Sequence, residues 1–148
     1  MFACSGILFN HEFPLRLARF VTQKIVLIAC RIAWRSPEKL QLGDISVQRD
    51  WCWVLEYVEA MYLMLQQSKP DDYVIATRES HALKEFVVQP LATLLGLDWE
   101  EHTVIDTSLY RSTEIALGKG NPAKAKEKLG WQAKYKMPDV VKMMVEAS

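Results

Sequence analysis

Residues 1–9 form a short, mostly apolar run that ends abruptly at three polar residues, Asn10-His11-Glu12. A short apolar run followed by turn residues is typical of a strand buried on both faces, as in a parallel sheet. Residues 20–34 then carry apolar side chains at the spacing of one helix face. We therefore expect a buried strand, a polar loop at 10–12 and an amphipathic helix, which together begin an α/β fold.

The alternation of strands and helices continues along the rest of the chain. Ser80 is expected to cap the third helix and Pro90 to interrupt it. Asn121-Pro122 and Gly130 mark the start and the end of a later helix. The remaining predicted elements are strands within Leu40–Val47, at Tyr73–Ala76 and at Val104–Ile105, a last helix from Pro138, and a second helix whose expected buried stripe is Val54, Val58, Met61 and Leu65.

Length and charge exclude several classes of protein. The chain has 148 residues, the size of one domain, and its 18 basic residues balance its 18 acidic ones. Zero net charge excludes nucleic-acid binding by bulk electrostatics, although a local phosphate site needs only a few cations. The longest apolar run, Ile25–Cys30, is too short to cross a bilayer. With no visible secretory signal and three widely spaced cysteines, we expect a cytoplasmic protein that binds neither membrane nor nucleic acid.

Several common catalytic motifs are missing from the sequence. The six glycines form neither G-x-G-x-x-G nor a P-loop. None of the five tyrosines is followed four positions later by a lysine, a pair that serves acid–base catalysis by lowering the pKa of the phenol. The three histidines lack metal-ligand spacing, so we predict no metal site. From these features alone, the chain is a soluble α/β domain.

Other strings in the sequence are far more specific, and they extend in order over nearly the whole chain. They are Ser5-Gly6-Ile7-Leu8-Phe9-Asn10-His11-Glu12, Phe20-Val21-Thr22-Gln23-Lys24-Ile25, Arg49-Asp50-Trp51, Tyr57-Val58-Glu59-Ala60-Met61, Asp72-Tyr73-Val74-Ile75-Ala76-Thr77, Arg111-Ser112-Thr113-Glu114 and Lys124-Ala125-Lys126-Glu127-Lys128-Leu129-Gly130-Trp131. These strings resemble the GDP-mannose 4,6-dehydratases, a family of lyases in the extended short-chain dehydrogenase/reductase superfamily.

The resemblance implies a fold and an activity. The fold would be α/β, the C-terminal portion of an extended Rossmann-type, NAD(P)-binding dehydratase: the end of the parallel sheet plus the small substrate-binding α/β domain. Residues 1–148 would form a single partial domain, because the family's glycine-rich turn, catalytic Thr/Ser–Glu pair and Tyr-x-x-x-Lys motif have no counterpart here. The full enzymes use NADP to convert GDP-mannose to GDP-4-keto-6-deoxymannose, a precursor of deoxyhexoses.

The resemblance also implies ligand contacts, position by position. The residues that would bind substrate are Asn10, Val21, Lys24, Arg49, Arg111 and Glu114, and those that would contact NADP are His11 and Arg16. Lys24, Arg49 and Arg111 would supply three cations for a diphosphate, and Asp50 is expected to orient Arg49. Without the resemblance, Asn10 is more simply a turn residue and Lys24 a solvated helix charge.

Some residues depart from the family pattern. Arg78 stands where the family has a glycine, at a position where a positive φ is expected. The other departures are Phe13, Asp44, Cys52, Val54-Leu55 and Ser112. These substitutions favour a truncated dehydratase that is inactive alone. One alternative is a non-catalytic remnant or split-enzyme subunit, which would bind a nucleotide sugar or pair with an N-terminal half. Another is a different nucleotide-sugar enzyme of the superfamily. The chain is also a candidate for forming a homo-oligomer.

Overall fold

The computed structural model describes all 148 residues. The strands are β1 (Ser5–Leu8), β2 (Asn10–Glu12), β3 (Leu40–Leu42), β4 (Gln48–Arg49), β5 (Trp51–Trp53), β6 (Asp72–Ile75), β7 (His81–Ala82) and β8 (Thr103–Ile105). The α-helices are α1 (Val21–Ala33), α2 (Val54–Leu65), α3 (Leu83–Val88), α4 (Trp99–His102), α5 (Ala123–Leu129) and α6 (Met137–Glu146). A π-helical turn spans Gln89–Leu94 and a 3-10 turn spans Thr107–Leu109.

Parallel pairing dominates the strands. β1 pairs with β6, β2 with β5 and β3 with β8, all in parallel register, and β4 pairs with β7 in antiparallel register. Parallel neighbours need a crossover connection, and α2 lies in the segment that connects β1 to β6. The α/β class predicted from the alternating sequence pattern is confirmed.

Two hydrophobic clusters form the core. The larger cluster packs α1 against α6, with Ile25 and Val26 fully buried on one helix and Val140 and Val141 on the other. It also contains residues of β3, β5 and α3, so it fixes the elements that surround the candidate site. The smaller cluster packs α2 and β6 around Trp131, whose indole Nε1 donates a hydrogen bond to the Glu56 carbonyl at 3.0 Å.

Two expectations for the first residues were wrong in part. β1 is a strand, but it is not buried on both faces: Ser5, Gly6 and Ile7 are exposed, with Ile7 55% accessible. Residues 10–12 are not a loop but the strand β2. Their backbone is recruited into a strand because β5 runs alongside it in parallel register.

The second helix buries a different face from the one predicted. The expected stripe is largely exposed, with Val58 54% and Leu65 60% accessible. The buried face instead consists of Glu56, Tyr57, Ala60 and Met64. Burial of Glu56 is the physical reason for the difference, because its carboxylate accepts the backbone N–H groups of residues 134 and 135 and so attaches α2 to the segment before α6.

Helix ends follow the sequence signals with one exception. Gly130 ends α5 at φ 67°, in the left-handed region that glycine adopts without strain. α3 gives way to the π-helical turn at Gln89, directly before Pro90, as expected. Ser80 does not cap α3, because the helix begins at Leu83 and the Ser80 hydroxyl donates to the Gly118 carbonyl instead. None of the helices combines the length and the hydropathy that a bilayer span requires.

Candidate functional site

A cavity of about 720 Å³ lies where β2, the start of α1, β4 and the segment after the 3-10 turn converge. Its volume falls within the range typical of small-molecule sites. The cavity collects side chains from both halves of the chain. Its polar and charged lining residues are Asn10, Glu12, Arg16, Arg19, Thr22, Lys24, Gln41, Asp44, Arg49, Tyr110, Arg111 and Glu114.

All six residues assigned to substrate by the resemblance line this cavity: Asn10, Val21, Lys24, Arg49, Arg111 and Glu114. Of the two assigned to NADP, Arg16 lines it and His11 does not. The His11 imidazole instead lies with Nδ1 3.0 Å from the Phe9 carbonyl and its ring 5.2 Å from that of Tyr57. The fold therefore gathers seven of the eight predicted positions around one space.

One buried ion pair forms a wall of the cavity. Glu12 is fully buried at the end of β2, and both of its carboxylate oxygens accept hydrogen bonds from Nη1 of Arg16, at 2.6 and 2.7 Å. The Thr22 hydroxyl donates to the same carboxylate at 2.5 Å. Burial raises the pKa of Glu12 above its usual value, although the hydrogen bonds from Thr22 and Arg16 act in the opposite direction.

A second ion pair lies across the cavity, between two residues predicted to bind substrate. Nη2 of Arg49 donates to the carboxylate of Glu114. Nη1 of Arg49 donates to the carbonyls of Gln48 and Ile115, at 2.8 and 2.5 Å. Both terminal nitrogens of Arg49 are therefore hydrogen-bonded to the segment 114–115.

Three further cations around the cavity have no ion-pair partner. Arg19, Lys24 and Arg111 form no salt bridge, although Nζ of Lys24 donates to the Gln41 carbonyl at 2.5 Å, whereas Arg16 and Arg49 are paired with carboxylates. Against these five cations the lining has the carboxylates of Glu12, Asp44 and Glu114. The cavity therefore has an excess of positive charge inside a chain of zero net charge, which suits an anionic ligand.

The expectation that Asp50 orients Arg49 was wrong. Asp50 is fully buried, and its carboxylate accepts three hydrogen bonds from the turn after β6: the backbone N–H and the hydroxyl of Thr77, at 2.8 and 2.7 Å, and the backbone N–H of Arg78, at 2.9 Å. Its two oxygens hold this turn in place, where Arg78 has φ 71°. The positive φ expected at Arg78 is therefore confirmed.

Sequence reasoning missed several residues of the cavity. Arg19 precedes α1 and looks like an ordinary loop residue, and Glu12 was expected in a polar loop. Leu109 and Tyr110 line the cavity although both are about half exposed. One signal in the sequence could have identified Arg19. It lies close to the start of α1, and a helix N-terminus with cations beside it favours the binding of an anion.

The residues of this chain do not form a complete NADP site. A dinucleotide pyrophosphate needs glycines that let the backbone approach it closely. The six glycines are scattered, and none of them follows a buried strand in the required spacing. His11 and Arg16 supply one imidazole and one guanidinium, which could contact only an edge of the cofactor. No three His, Cys, Asp or Glu side chains are grouped for a metal ion.

Many solved structures share this fold, and two of them illustrate it at identities that bear on the fold alone. RMD from Pseudomonas aeruginosa, complexed with NADPH, superposes with a TM-score of 0.85 at 20% identity, over 96% of this chain and 46% of that one. dTDP-glucose 4,6-dehydratase from Bacillus anthracis, in complex with NAD, gives 0.82 at 21% identity, over 96% and 43%. The predicted fold class, an α/β portion of an extended Rossmann-type protein, is confirmed.

Sequence comparison covers nearly the whole chain. GDP-mannose 4,6 dehydratase 1 of Arabidopsis thaliana is 51% identical over 146 residues, 99% of this chain and 40% of that protein. GDP-mannose 4,6 dehydratase of Homo sapiens is 39% identical, over 99% of this chain and 44% of that protein. The chain thus spans about two fifths of the length of these relatives. Since the family model described as GDP-mannose 4,6 dehydratase matches residues 1–144 as well, the chain belongs to the GDP-mannose 4,6-dehydratase family.

Proposed function

We propose that this chain is the substrate-binding part of a GDP-mannose 4,6-dehydratase and that its cavity holds the diphosphate of GDP-mannose. The observation that carries this proposal is that three cations around one cavity, Arg19, Lys24 and Arg111, have no carboxylate partner. Unpaired cations that converge on a concave space are stabilised by an anionic ligand. Family membership supports the identity of that anion.

Each part of the cavity suits one part of a nucleotide sugar. Lys24 lies in the first turn of α1, where the helix dipole adds to its attraction for phosphate. Arg111 faces the same space from the opposite segment, so the two cations would hold the diphosphate between them. Asn10 offers an amide that both donates to and accepts from sugar hydroxyls. Tyr110 offers a half-exposed aromatic face for the base.

The dehydratase reaction itself would require groups that this chain does not contain. In the relatives' reaction NADP accepts and returns a hydride, and a Tyr-x-x-x-Lys pair is expected to assist. The tyrosines here have no such lysine, and the cavity offers no complete cofactor site. We therefore propose that the chain alone binds GDP-mannose without converting it. Product formed from GDP-mannose and NADP above a protein-free blank would overturn this statement.

A binding experiment tests the substrate proposal. We expect calorimetric titration with GDP-mannose to give saturable binding that weakens about tenfold in Lys24→Ala and in Arg111→Ala, since each removes a charge-assisted hydrogen bond. Lys142→Ala, an exposed lysine on α6 that pairs with Glu146, is the matched control and should bind like the wild type. Stronger binding of UDP- or dTDP-sugars would contradict the choice of GDP-mannose, and no binding at all would favour a remnant.

A second function, as a subunit that pairs with an N-terminal half, is supported by an exposed surface. One edge of β1 has no strand partner, and α2 presents an exposed apolar face on the same crossover unit. That face consists of Leu55, Val58, Met61, Tyr62 and Leu65, each at least 42% accessible. An open parallel edge beside an apolar helix face suits another strand with its own helix.

Co-expression tests this second function. The partner is the part of Arabidopsis thaliana GDP-mannose 4,6 dehydratase 1 that lies outside the 40% matched by this chain. Copurification that is lost in Val58→Glu/Leu65→Lys would support pairing through the α2 face. A complex of two copies of this chain, lost in the same variant, would indicate a homo-oligomer instead. Copurification unaffected by the substitutions would contradict the assignment of the surface.

We also propose a cytoplasmic location. The three cysteines are free thiols, two half-buried and one buried, which suits a reducing compartment. Fractionation of cells that express the tagged chain would check this: recovery in the secreted or membrane fraction would contradict it.

A further inference from the structure

Glu12 is an unusual residue for the wall of an anion-binding cavity. Its carboxylate is fully buried and faces the space that the proposed function assigns to phosphates. A buried carboxylate needs a strong reason to be present, because taking the charge out of water is costly unless it is paired and hydrogen-bonded. Here Arg16 and Thr22 supply the pairing.

All hydrogen bonds of the Arg16 side chain are made by one nitrogen, Nη1. Nη1 donates to both oxygens of Glu12, and it lies 3.4 Å from the His11 carbonyl. The guanidinium also stacks on the Phe20 ring at 4.0 Å, which fixes its plane. Nε and Nη2 make no hydrogen bond within the chain. These two atoms form the edge of arginine that binds a phosphate in bidentate geometry.

Arg49 provides a contrast within the same cavity. Both of its terminal nitrogens are occupied, by Glu114 and by two backbone carbonyls. Arg49 must therefore exchange a partner before it can bind a ligand in bidentate fashion. Arg16 need not, because its Nε–Nη2 edge makes no hydrogen bond, and its side chain lines the cavity and is 25% exposed.

We propose that Glu12 is a positioning residue: its buried carboxylate holds Arg16 by Nη1, so that the Nε–Nη2 edge is preset to bind one phosphate of a nucleotide. The proposal rests on the proposed function for the presence of a nucleotide in the cavity. The phosphate belongs either to the sugar nucleotide or to the dinucleotide cofactor. Both present the same chemistry to a guanidinium, so the test uses GDP and NADP⁺ in separate titrations.

The first measurement needs no ligand. Nitrogen-15 relaxation of the arginine Nε–H groups reports whether each guanidinium is held rigidly. We expect the Arg16 signal to be rigid in the wild type and mobile in Glu12→Gln, with Arg49 unchanged. Glu56→Gln is the matched control, since Glu56 is also a buried glutamate but accepts its hydrogen bonds far from Arg16. An Arg16 signal that stays rigid in Glu12→Gln would overturn the proposal.

The second measurement is a double-mutant cycle of Glu12→Gln and Arg16→Lys, read by calorimetry with GDP and with NADP⁺. Arg16→Lys keeps the charge beside Glu12 but removes the two-nitrogen edge. We expect each single variant to bind one of the two nucleotides about tenfold more weakly, and the double variant to bind no more weakly than Arg16→Lys. The nucleotide affected identifies the source of the phosphate.

The outcomes of the two measurements separate the two proposals. Independent, additive losses in the cycle would mean that Glu12 supports the fold without acting through Arg16, and would overturn the inference. If the wild type binds neither nucleotide while the Arg16 signal responds to Glu12→Gln, the proposed function fails and the orientation of Arg16 by Glu12 stands. Circular dichroism of each variant confirms that a loss of binding is not a loss of folding.

Discussion

The guanidinium of Arg49 in β4 is bonded to the carboxylate of Glu114, 65 positions later in the chain. Both residues were predicted to bind substrate, yet each is the partner of the other. A carboxylate on a guanidinium occupies the position that a phosphate would take. The ion pair is only partly buried, with the two side chains 18% and 32% exposed, so a ligand can reach and replace it.

This relationship predicts that Glu114 competes with small anions. We expect Glu114→Gln to raise the affinity for inorganic pyrophosphate roughly threefold, because a partly exposed ion pair contributes about 0.5–1 kcal/mol. Calorimetric titration with pyrophosphate measures the change.

The control for this prediction must change the net charge equally. Glu127→Gln removes an exposed carboxylate on α5, where Glu127 pairs with Lys128 away from the cavity. If Glu127→Gln raised pyrophosphate affinity as much as Glu114→Gln does, the effect would be one of net charge, and direct competition for Arg49 would be excluded.

Arg78 is expected to cost stability through its backbone rather than its side chain. At φ 71° its Cβ is crowded, which costs on the order of 1–2 kcal/mol and is only partly offset by the greater freedom of glycine in the unfolded chain. We expect Arg78→Gly to raise the free energy of unfolding by about 0.5–1 kcal/mol, measured by urea denaturation. Arg78→Ala keeps the Cβ and should give no gain. An equal gain in both variants would assign the effect to the guanidinium instead.

Local patterns in the sequence were sufficient for most of the elements. The periodicity of residues 20–34 predicted α1, and Gly130 predicted the end of α5, because these signals act within one turn of helix. The face of α2 was not predictable in the same way. Val58 and Leu65 are as apolar as core residues, and tertiary contacts, those of Glu56 among them, determine which side of the helix is buried.

The candidate site was predictable by position but not by contact. The resemblance predicted that Asn10, Lys24 and Arg111 contact one ligand, and the structure places all three around one cavity. Positions of this kind are predictable because a shared fold fixes where each strand and helix begins. It could not indicate that Arg49 pairs with Glu114 or that Asp50 turns toward Thr77. Those partners depend on side-chain geometry across distant segments, which no local pattern in one sequence encodes.

Glu12 is expected to make folding stability depend on pH. Its pKa is raised by burial in the folded chain, so its contribution to stability is full below the unfolded pKa of about 4.3 and is lost as pH rises through the folded value. We expect the unfolding free energy of the wild type, minus that of Glu12→Gln, to fall as the pH rises above the unfolded pKa. His11 adjoins Glu12 in the sequence, so the comparison is repeated with His11→Gln in both proteins. A difference that rises with pH would mean that the bond to Arg16 outweighs burial.

The exposed face of α2 is expected to drive association without supporting the fold. Val58 and Leu65 are 54% and 60% exposed, so replacing both by lysine removes little buried area, and we expect the free energy of unfolding to change by less than about 0.5 kcal/mol per site. Contiguous apolar surface of this kind favours self-association, which sedimentation velocity at rising concentration would detect in the wild type and find reduced in the double variant. Met64→Lys, on the buried face at 3% exposure, should instead unfold the chain. Association that persists in the folded double variant would locate the contact elsewhere, with the open edge of β1 the next surface to test.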